Sequence, residues 1–240
     1  MFKLSIQNFL TKNNFQQLNL KAVLFDMDGV LFDSMPAHAK AWLRVMNDYN
    51  LPFTETEAYL NEGQPGADTI NEVFKRKHGR DSTEEERAEI YSVKVKYFDE
   101  CGDPKPMPFA LELLELLKEQ ELTLGVVTGS AQPLLLKNIE AYFPGIFKKE
   151  HIVSAFDVER GKPFPEPYLK SLEKVNLKPW EAVVIENAPF GVQASSAAQI
   201  YTIGVNTGPI DKSYLLDNGA DIVFDSVKDL FENWGKFEFT

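Results

Sequence analysis

Short, continuously apolar runs recur along the chain and mark its predicted β-strands. Runs of this kind are typical of strands that are buried on both faces of a parallel sheet. The strongest lie at 22–25, 122–127, 182–185 and 201–205, and weaker ones lie at 151–154 and 221–224. Leucine-rich segments with helical spacing lie between several of them, for example at 111–117 and 134–139. This alternation predicts a doubly wound α/β domain, in which ligands bind beyond the carboxyl ends of the strands.

The interval from about Pro36 to Pro104 breaks the alternation, because it contains helical patterns and no convincing strand. Those patterns cover 37–49, 55–60, 67–78 and 84–98. An all-helical insert that follows the first strand predicts a cap over the strand ends. We therefore divide the chain into a core at 21–35 and 105–240 and a cap at 36–104. Residues 1–20 are interpreted as an N-terminal extension that lies outside the catalytic fold.

Composition narrows the class of partner. The 240 residues carry 25 Lys+Arg against 36 Asp+Glu, a net charge of −11 that argues against nucleic acid or an anionic membrane as partner. The single cysteine, Cys101, has no partner for an internal disulfide or a zinc site. No run approaches the roughly 18 apolar residues of a membrane span, and the N-terminus makes a poor signal peptide. We expect a cytoplasmic protein that acts on a small molecule and is a monomer by default.

Two carboxylates follow the first predicted strand directly, in the order Asp26, Met27, Asp28, Gly29. Carboxylates at the end of a buried strand repel one another unless a cation joins them. The plain alternative is a turn, since Asp and Gly are turn-forming residues. A calcium loop of the EF-hand type is excluded, because apolar residues follow where oxygen ligands are required. The motif favours a functional site.

Two further motifs supply groups suited to phosphate. The second strong strand is followed by Thr128, Gly129 and Ser130, whose hydroxyl groups and backbone amides can hold phosphoryl oxygens. Lys162 lies between glycine and proline on a loop, where its ammonium can offset the charge of a phosphoryl group. A lysine by itself is more often simply solvated, so Lys162 gains its meaning from the other motifs.

The strand at 182–185 leads into Glu186 and Asn187, a carboxylate and an amide oxygen that suit a hard cation. Four motifs at strand ends or adjoining loops thus offer phosphate-binding or metal-binding groups. Coincidence is a poor explanation for all four.

In this order and spacing the motifs resemble those of the haloacid dehalogenase superfamily, specifically its β-phosphoglucomutase-like branch with a helical cap. The resemblance covers residues 21 to about 235 and implies a Rossmann-like core and Mg²⁺-dependent phosphoryl transfer. It implies that Asp26 is the nucleophile that becomes an aspartyl phosphate. Asp28 is then the general acid/base, with its backbone carbonyl on Mg²⁺. Thr128 and the Gly129 amide bind the transferring phosphoryl group, and Lys162 neutralises charge shared with Asp26.

The resemblance also implies a metal site, and at one position of that site the chain departs from the family pattern. Glu186 and Asn187 occupy the metal-binding motif, but the family usually has Asp where this chain has Asn187, so the site is one negative charge short. Glu62, in the cap loop at 62–66, is a candidate to supply that charge when the cap closes. The alternative is that Glu62 is an ordinary surface acid.

The same cap loop bears on the substrate. Counting from Gly63, Gly66 stands where β-phosphoglucomutase carries an arginine for the distal phosphate of a sugar bisphosphate. The Glu-Gly-x-x-Gly loop and the Glu-Asn-Ala-Pro motif are similar to those of a pyrophosphatase branch, which makes inorganic pyrophosphate the leading substrate. We include Gly63 in the substrate-binding set, with His38 and Lys94 as candidates for holding the remote phosphoryl group. Alternatives are a β-phosphoglucomutase, a sugar-phosphate phosphatase, and a phosphometabolite-binding protein without catalysis.

Overall fold

The computed structural model describes residues 1–129 and 133–239. Within those residues it contains one sheet of six parallel strands in the order β3-β2-β1-β4-β5-β6. The strands are β1 (Ala22–Phe25), β2 (Thr123–Val127), β3 (Ile152–Val153), β4 (Ala182–Glu186), β5 (Tyr201–Val205) and β6 (Ile222–Phe224). Every one coincides with a predicted apolar run, so the doubly wound α/β fold is confirmed. β3 is a two-residue edge strand that pairs with the end of β2.

Helices surround the sheet and fill the interval between β1 and β2. The α-helices are α1 (Phe2–Asn13), α2 (Met35–Asp48), α3 (Glu55–Leu60), α4 (Gly66–His78), α5 (Glu84–Asp99), α6 (Ala110–Glu119), α7 (Pro133–Tyr142), α8 (Glu166–Val175), α9 (Pro189–Ala197), α10 (Ser213–Asp217) and α11 (Val227–Asn233). Short 3₁₀ turns lie at Lys149–His151, Ala155–Asp157, Pro179–Glu181 and Trp234–Lys236. The inserted segment is therefore helical, as predicted, and the residue limits of the two domains remain a prediction.

Local signals in the insert define where its helices begin. Thr54 caps α3 and Thr83 caps α5, each through a capping box with the glutamate three residues later. The buried faces of α2, α4 and α5 share one apolar cluster with Val192 of α9 and Leu215 of α10. The insert consequently packs onto the strand-end face of the core and does not stand apart from it.

The N-terminal segment does not lie outside the fold, so that expectation was wrong. In α1, Ile6 and Phe9 are buried in the main apolar cluster, and the Phe9 ring meets the Tyr201 ring edge to face at 5.4 Å between centroids. The Ser5 hydroxyl and the Tyr201 hydroxyl lie 2.5 Å apart. Most polar residues of α1 are exposed, while Phe2, Ile6 and Phe9 recur at helical spacing. That spacing is the signal that predicts a packed helix.

Strand register places the functional segments side by side. β1 lies between β2 and β4, with Phe25 paired to Val126 on one side and to Ile185 on the other. The Asp26 amide continues the ladder by donating to the Ile185 carbonyl at 3.0 Å. The residues that follow the three strands thus meet at one edge of the sheet.

Candidate active site

Asp26, Lys162 and Glu186 form a buried ion cluster at this edge. Lys162 Nζ lies 2.5 Å from Asp26 Oδ1, 2.6 Å from Glu186 Oε1 and 3.1 Å from the carbonyl oxygen of Val127, which uses all three ammonium hydrogens. Burial and the charge of Glu186 raise the pKa of Asp26, and Lys162 opposes that shift. Although burial lowers it, the carboxylates of Asp26 and Glu186 hold the pKa of Lys162 well above its ordinary value. The predicted nucleophile therefore has a fixed cation beside it.

A second chain of contacts runs from Asp28 into the cap. Asp28 Oδ1 accepts a hydrogen bond from Ser34 Oγ at 2.5 Å and lies 3.3 Å from His38 Nε2, while Lys94 Nζ lies 2.7 Å from His38 Nδ1. Because an ammonium can only donate, Nδ1 is the acceptor and the imidazole proton resides on Nε2, facing Asp28. Burial raises the pKa of Asp28, but His38 and Ser34 outweigh burial and hold it below its ordinary value. Burial lowers the pKa of Lys94 to about 8.

Glu186 is held on all sides. Its Oε1 accepts from Lys162 and from the Tyr168 hydroxyl at 2.9 Å, and its Oε2 accepts from the backbone amides of Asn187 and Ala188. A carboxylate offers about four lone-pair directions, and here all of them are used. As a metal ligand Glu186 would therefore have to exchange one of these donors, and its predicted role at the metal remains a prediction.

The donor chemistry around Asp26 fits a hard cation. The side-chain oxygen of Asn187 is buried with no hydrogen-bond partner, which suits it to a cation. Glu62 lines the same cavity as Asp26 and Asp28, and burial followed by those two charges raises its pKa well above the ordinary value. In residues 1–129 and 133–239, however, no group of three or more His, Cys, Asp or Glu side chains stands ready to hold a metal ion. Mg²⁺ with Asp26, Asp28, Glu186, Asn187 and Glu62 thus remains a proposal.

The cap loop closes directly onto the predicted phosphate-binding turn. Thr128 is buried and lines the cavity with Gly129. A β-carbon on Gly129 would lie 2.8 Å from the carbonyl oxygen of Gly63, so the two loops approach closely only because position 129 is a glycine. Gly63 itself has φ +87°, in the left-handed region that favours glycine. Ser130 lies outside the described residues.

The cavity between cap and core has a volume of about 50 Å³. A β-carbon on Gly66 would lie 2.4 Å from Cε2 of Tyr91 and 3.4 Å from Trp42, so the position of the mutase arginine is occupied by an aromatic ring. Lys94 Nζ lies 5.3 Å from the centre of the Trp42 ring. Every predicted site residue among Asp26, Asp28, His38, Glu62, Gly63, Lys94, Thr128 and Gly129 lines this one cavity.

Sequence reasoning missed several residues of the site. Tyr91 lies one helical turn before Lys94 on α5, and Trp42 lies one turn after His38 on α2, so each shares a helix face with a predicted residue. That spacing is a signal that could have found them. Ser34 contacts a residue close to it in sequence, and such a local contact is not distinctive. Tyr168 reaches the site through a contact with a residue distant in sequence.

With the geometry in place, the class of the protein is clear. The family model for haloacid dehalogenase-like hydrolases matches residues 23–205, and the chain belongs to that family. The phosphorylated carbohydrates phosphatase of Thermotoga maritima is 33% identical over 207 residues, covering 84% of this chain and 92% of that protein.

Two further relatives bear on the activity. A solved structure from Bacteroides vulgatus with a provisional assignment as a beta-phosphoglucomutase has a TM-score of 0.94 and 50% sequence identity, covering 98% of this chain and 95% of its own. Pyrophosphatase PpaX of Oceanobacillus iheyensis is 24% identical, covering 89% of this chain and 96% of that protein. The predicted family is confirmed, and the chain is a phosphoryl-transfer hydrolase by membership. In the described part of the chain, no helix has the length and apolarity that a membrane crossing demands.

Proposed function

We propose that this protein hydrolyses inorganic pyrophosphate with Asp26 as nucleophile and Mg²⁺ as cofactor. The observation that carries the proposal is the packing of Tyr91 against Gly66 on the cap side of the cavity that Asp26 also lines. Pyrophosphate has no organic group to accommodate. A hexose phosphate needs room for a ring on the cap side, where Tyr91 fills the space that the absent side chain of Gly66 leaves.

The first step is attack on phosphorus by the carboxylate of Asp26. An O–P bond forms to Asp26, the bridging P–O bond breaks, and inorganic phosphate leaves with the electron pair. Lys162, 2.5 Å from Asp26, offsets the repulsion between carboxylate and phosphoryl oxygens. The Thr128 hydroxyl and the Gly129 amide hold the transferring group. Mg²⁺, held by Asp26, the Asp28 carbonyl and Asn187, with Glu186 and Glu62 as further candidates, would supply charge neutralisation at the phosphoryl oxygens.

Asp28 is arranged for the second step. Its Oδ1 faces two donors, Ser34 and His38, which favour the ionised carboxylate. An ionised Asp28 can take a proton from the water that attacks the phosphorus of the aspartyl phosphate. As the new O–P bond forms, the bond between Asp26 and phosphorus breaks, which releases inorganic phosphate and regenerates the Asp26 carboxylate. A departing phosphate is stable as an anion and needs little protonation, whereas a departing sugar alkoxide needs a proton at once. This arrangement supports pyrophosphate over a sugar phosphate.

A cationic lysine and a neutral histidine on the cap suit the phosphoryl group that is not transferred. Lys94 of α5 and His38 of α2 both line the cavity opposite Asp26, and they contact each other at 2.7 Å. Lys94 is buried, so its charge acts at close range with little screening by water.

A sugar-phosphate phosphatase or phosphomutase is the second candidate. The name of the 33% identical Thermotoga maritima phosphatase and the provisional assignment of the 50% identical structure favour it. A phosphometabolite-binding protein without catalysis is the third. The second candidate differs from pyrophosphate hydrolysis in its products, and the third candidate forms no product.

The test is to incubate the purified chain and Mg²⁺ with pyrophosphate, glucose 6-phosphate and β-glucose 1-phosphate, with and without a chelator. We expect Mg²⁺-dependent phosphate release that is fastest from pyrophosphate. Formation of glucose 6-phosphate from β-glucose 1-phosphate that is faster than phosphate release would refute the hydrolase proposal. Phosphate release that is faster from glucose 6-phosphate than from pyrophosphate would refute pyrophosphate as the substrate. Binding without turnover would support the third candidate.

Asp26→Asn and Asp33→Asn form the matched pair of variants. Asp33 is exposed and lies seven residues after Asp26 in the same strand-end segment. We expect Asp26→Asn to abolish phosphate release and Asp33→Asn to retain it. Activity that survives in Asp26→Asn would show that the nucleophile lies elsewhere.

A further inference from the structure

Tyr168 lies behind the ion cluster, in a place that the proposed chemistry leaves without a role. It is the third residue of α8, and its side chain is fully buried. Its hydroxyl donates to Glu186 Oε1 at 2.9 Å, and the centre of its ring lies 5.2 Å from Lys162 Nζ. One aromatic residue thus contacts the lysine through its ring and the lysine's second carboxylate through its hydroxyl.

The hydrogen bonds that Glu186 accepts show what the Tyr168 hydroxyl does. Lys162 shares its ammonium between Asp26 Oδ1 and Glu186 Oε1, at 2.5 and 2.6 Å. A carboxylate only accepts, so Tyr168 must be the donor to Glu186, and it donates to the same oxygen as Lys162. If the hydroxyl were absent, Oε1 would keep Lys162 as its donor in a site that excludes water. A buried oxygen that loses one hydrogen-bond donor interacts more strongly with the donor that remains.

We propose that Tyr168 is a positioning residue for the proposed phosphoryl transfer, whose hydroxyl partly satisfies Glu186 and so leaves the Lys162 ammonium on Asp26. Tyr168 touches neither Asp26 nor the cavity, so it acts through Glu186 and Lys162. Without the hydroxyl, Lys162 moves toward Glu186. The charge on Asp26 is then less well offset as the phosphoryl group approaches, which slows the chemical step more than substrate binding. Only the kinetic test of this inference, described below, rests on the proposed function.

Tyr168→Phe is the perturbation, because it removes the hydroxyl and keeps the ring. Tyr201→Phe is the matched control. Tyr201 is equally buried, and its hydroxyl makes one side-chain hydrogen bond, to Ser5 Oγ at 2.5 Å, on the α1 side of the sheet away from the cavity. If the hydroxyl at position 168 were purely structural, its loss would lower the melting temperature, as we expect for Tyr201→Phe, and leave turnover unchanged.

The kinetic arm measures kcat and KM with pyrophosphate and Mg²⁺. We expect kcat to fall about tenfold in Tyr168→Phe, which corresponds to about 1.4 kcal/mol, with KM changed less than about threefold. We expect both constants to stay within about twofold of wild type in Tyr201→Phe. Wild-type kcat in Tyr168→Phe, or a protein that fails to fold, would overturn the proposal in favour of a structural role.

The second arm does not need turnover. Crystal structures of wild type and Tyr168→Phe, grown under the same conditions, give the separation of Lys162 Nζ from Asp26 Oδ1. We expect it to lengthen in the variant from 2.5 Å to beyond the hydrogen-bond range of about 3.2 Å. An unchanged separation would overturn the positioning role. If wild type does not hydrolyse pyrophosphate, the proposed function fails, and this separation alone decides the inference.

Discussion

Replacing Lys162 by methionine would leave two buried carboxylates without their shared counter-ion. The side chain of Lys162 is 0% exposed, and those of its partners Asp26 and Glu186 are 6% and 0% exposed. Methionine keeps most of the aliphatic volume, so the perturbation is chiefly the loss of charge. Breaking a buried ion pair by removing one partner costs about 3–5 kcal/mol. We expect a loss of this size at neutral pH, together with loss of activity.

The loss of unfolding free energy in Lys162→Met depends on pH, and the direction of this dependence follows from the charges. Without Lys162, burial and the charge of Glu186 raise the folded-state pKa of Asp26 above its unfolded value with no cation to oppose them. A carboxyl group with a raised folded pKa takes up a proton on folding, so acidification stabilises the variant relative to wild type. The stability difference should therefore be largest near pH 8 and should shrink as the pH falls toward 5.

Urea unfolding at both pH values measures this difference, and Lys174→Met is the matched control. Lys174 also contacts one carboxylate, Asp157 at 2.7 Å, and one carbonyl oxygen, Ile152 at 2.6 Å, but its side chain is 23% exposed. We expect a cost of about 1 kcal/mol or less for this more exposed pair. Equal costs for the two variants, or a Lys162→Met cost that does not change with pH, would refute the reasoning.

Three further predictions follow from particular contacts. Tyr91→Ala should open the cap side of the cavity and raise kcat/KM for glucose 6-phosphate relative to pyrophosphate by about tenfold or more; an unchanged ratio in steady-state assays would show that Tyr91 does not limit substrate size. Burial raises the pKa of Asp221 to about 6, so its charge destabilises the fold as pH rises from about 4 through 6. Asp221→Asn should therefore gain about 1–2 kcal/mol in urea unfolding at pH 7.5 and nothing at pH 4, and an equal gain at both would contradict this. Phe9→Ala should cost about 3–5 kcal/mol if α1 belongs to the core, whereas an unchanged unfolding midpoint would restore residues 1–20 to a loose extension.

Residues adjacent in sequence were the ones most readily predicted. Asp26 and Asp28 follow directly after an apolar run, and their place at a strand end depends only on that run being β1. Lys162 was also predicted, although it meets Asp26 across 136 residues, because its Gly-Lys-Pro setting is distinctive in sequence. Tyr168 has no such setting. Its role depends on a hydroxyl reaching Glu186, and nothing local distinguishes that tyrosine from one in a core.

The sequence by itself determined the sheet, the inserted helices and the family of phosphoryl-transfer hydrolases. Those features depend on short apolar runs, on helical periodicity and on motifs whose atoms are neighbours along the chain. Only the tertiary structure decided that α1 belongs to the core, that Glu62 faces Asp26, and that Tyr91 fills the space beside Gly66. Each of these depends on packing between segments distant in sequence, where shape and burial decide which side chains meet.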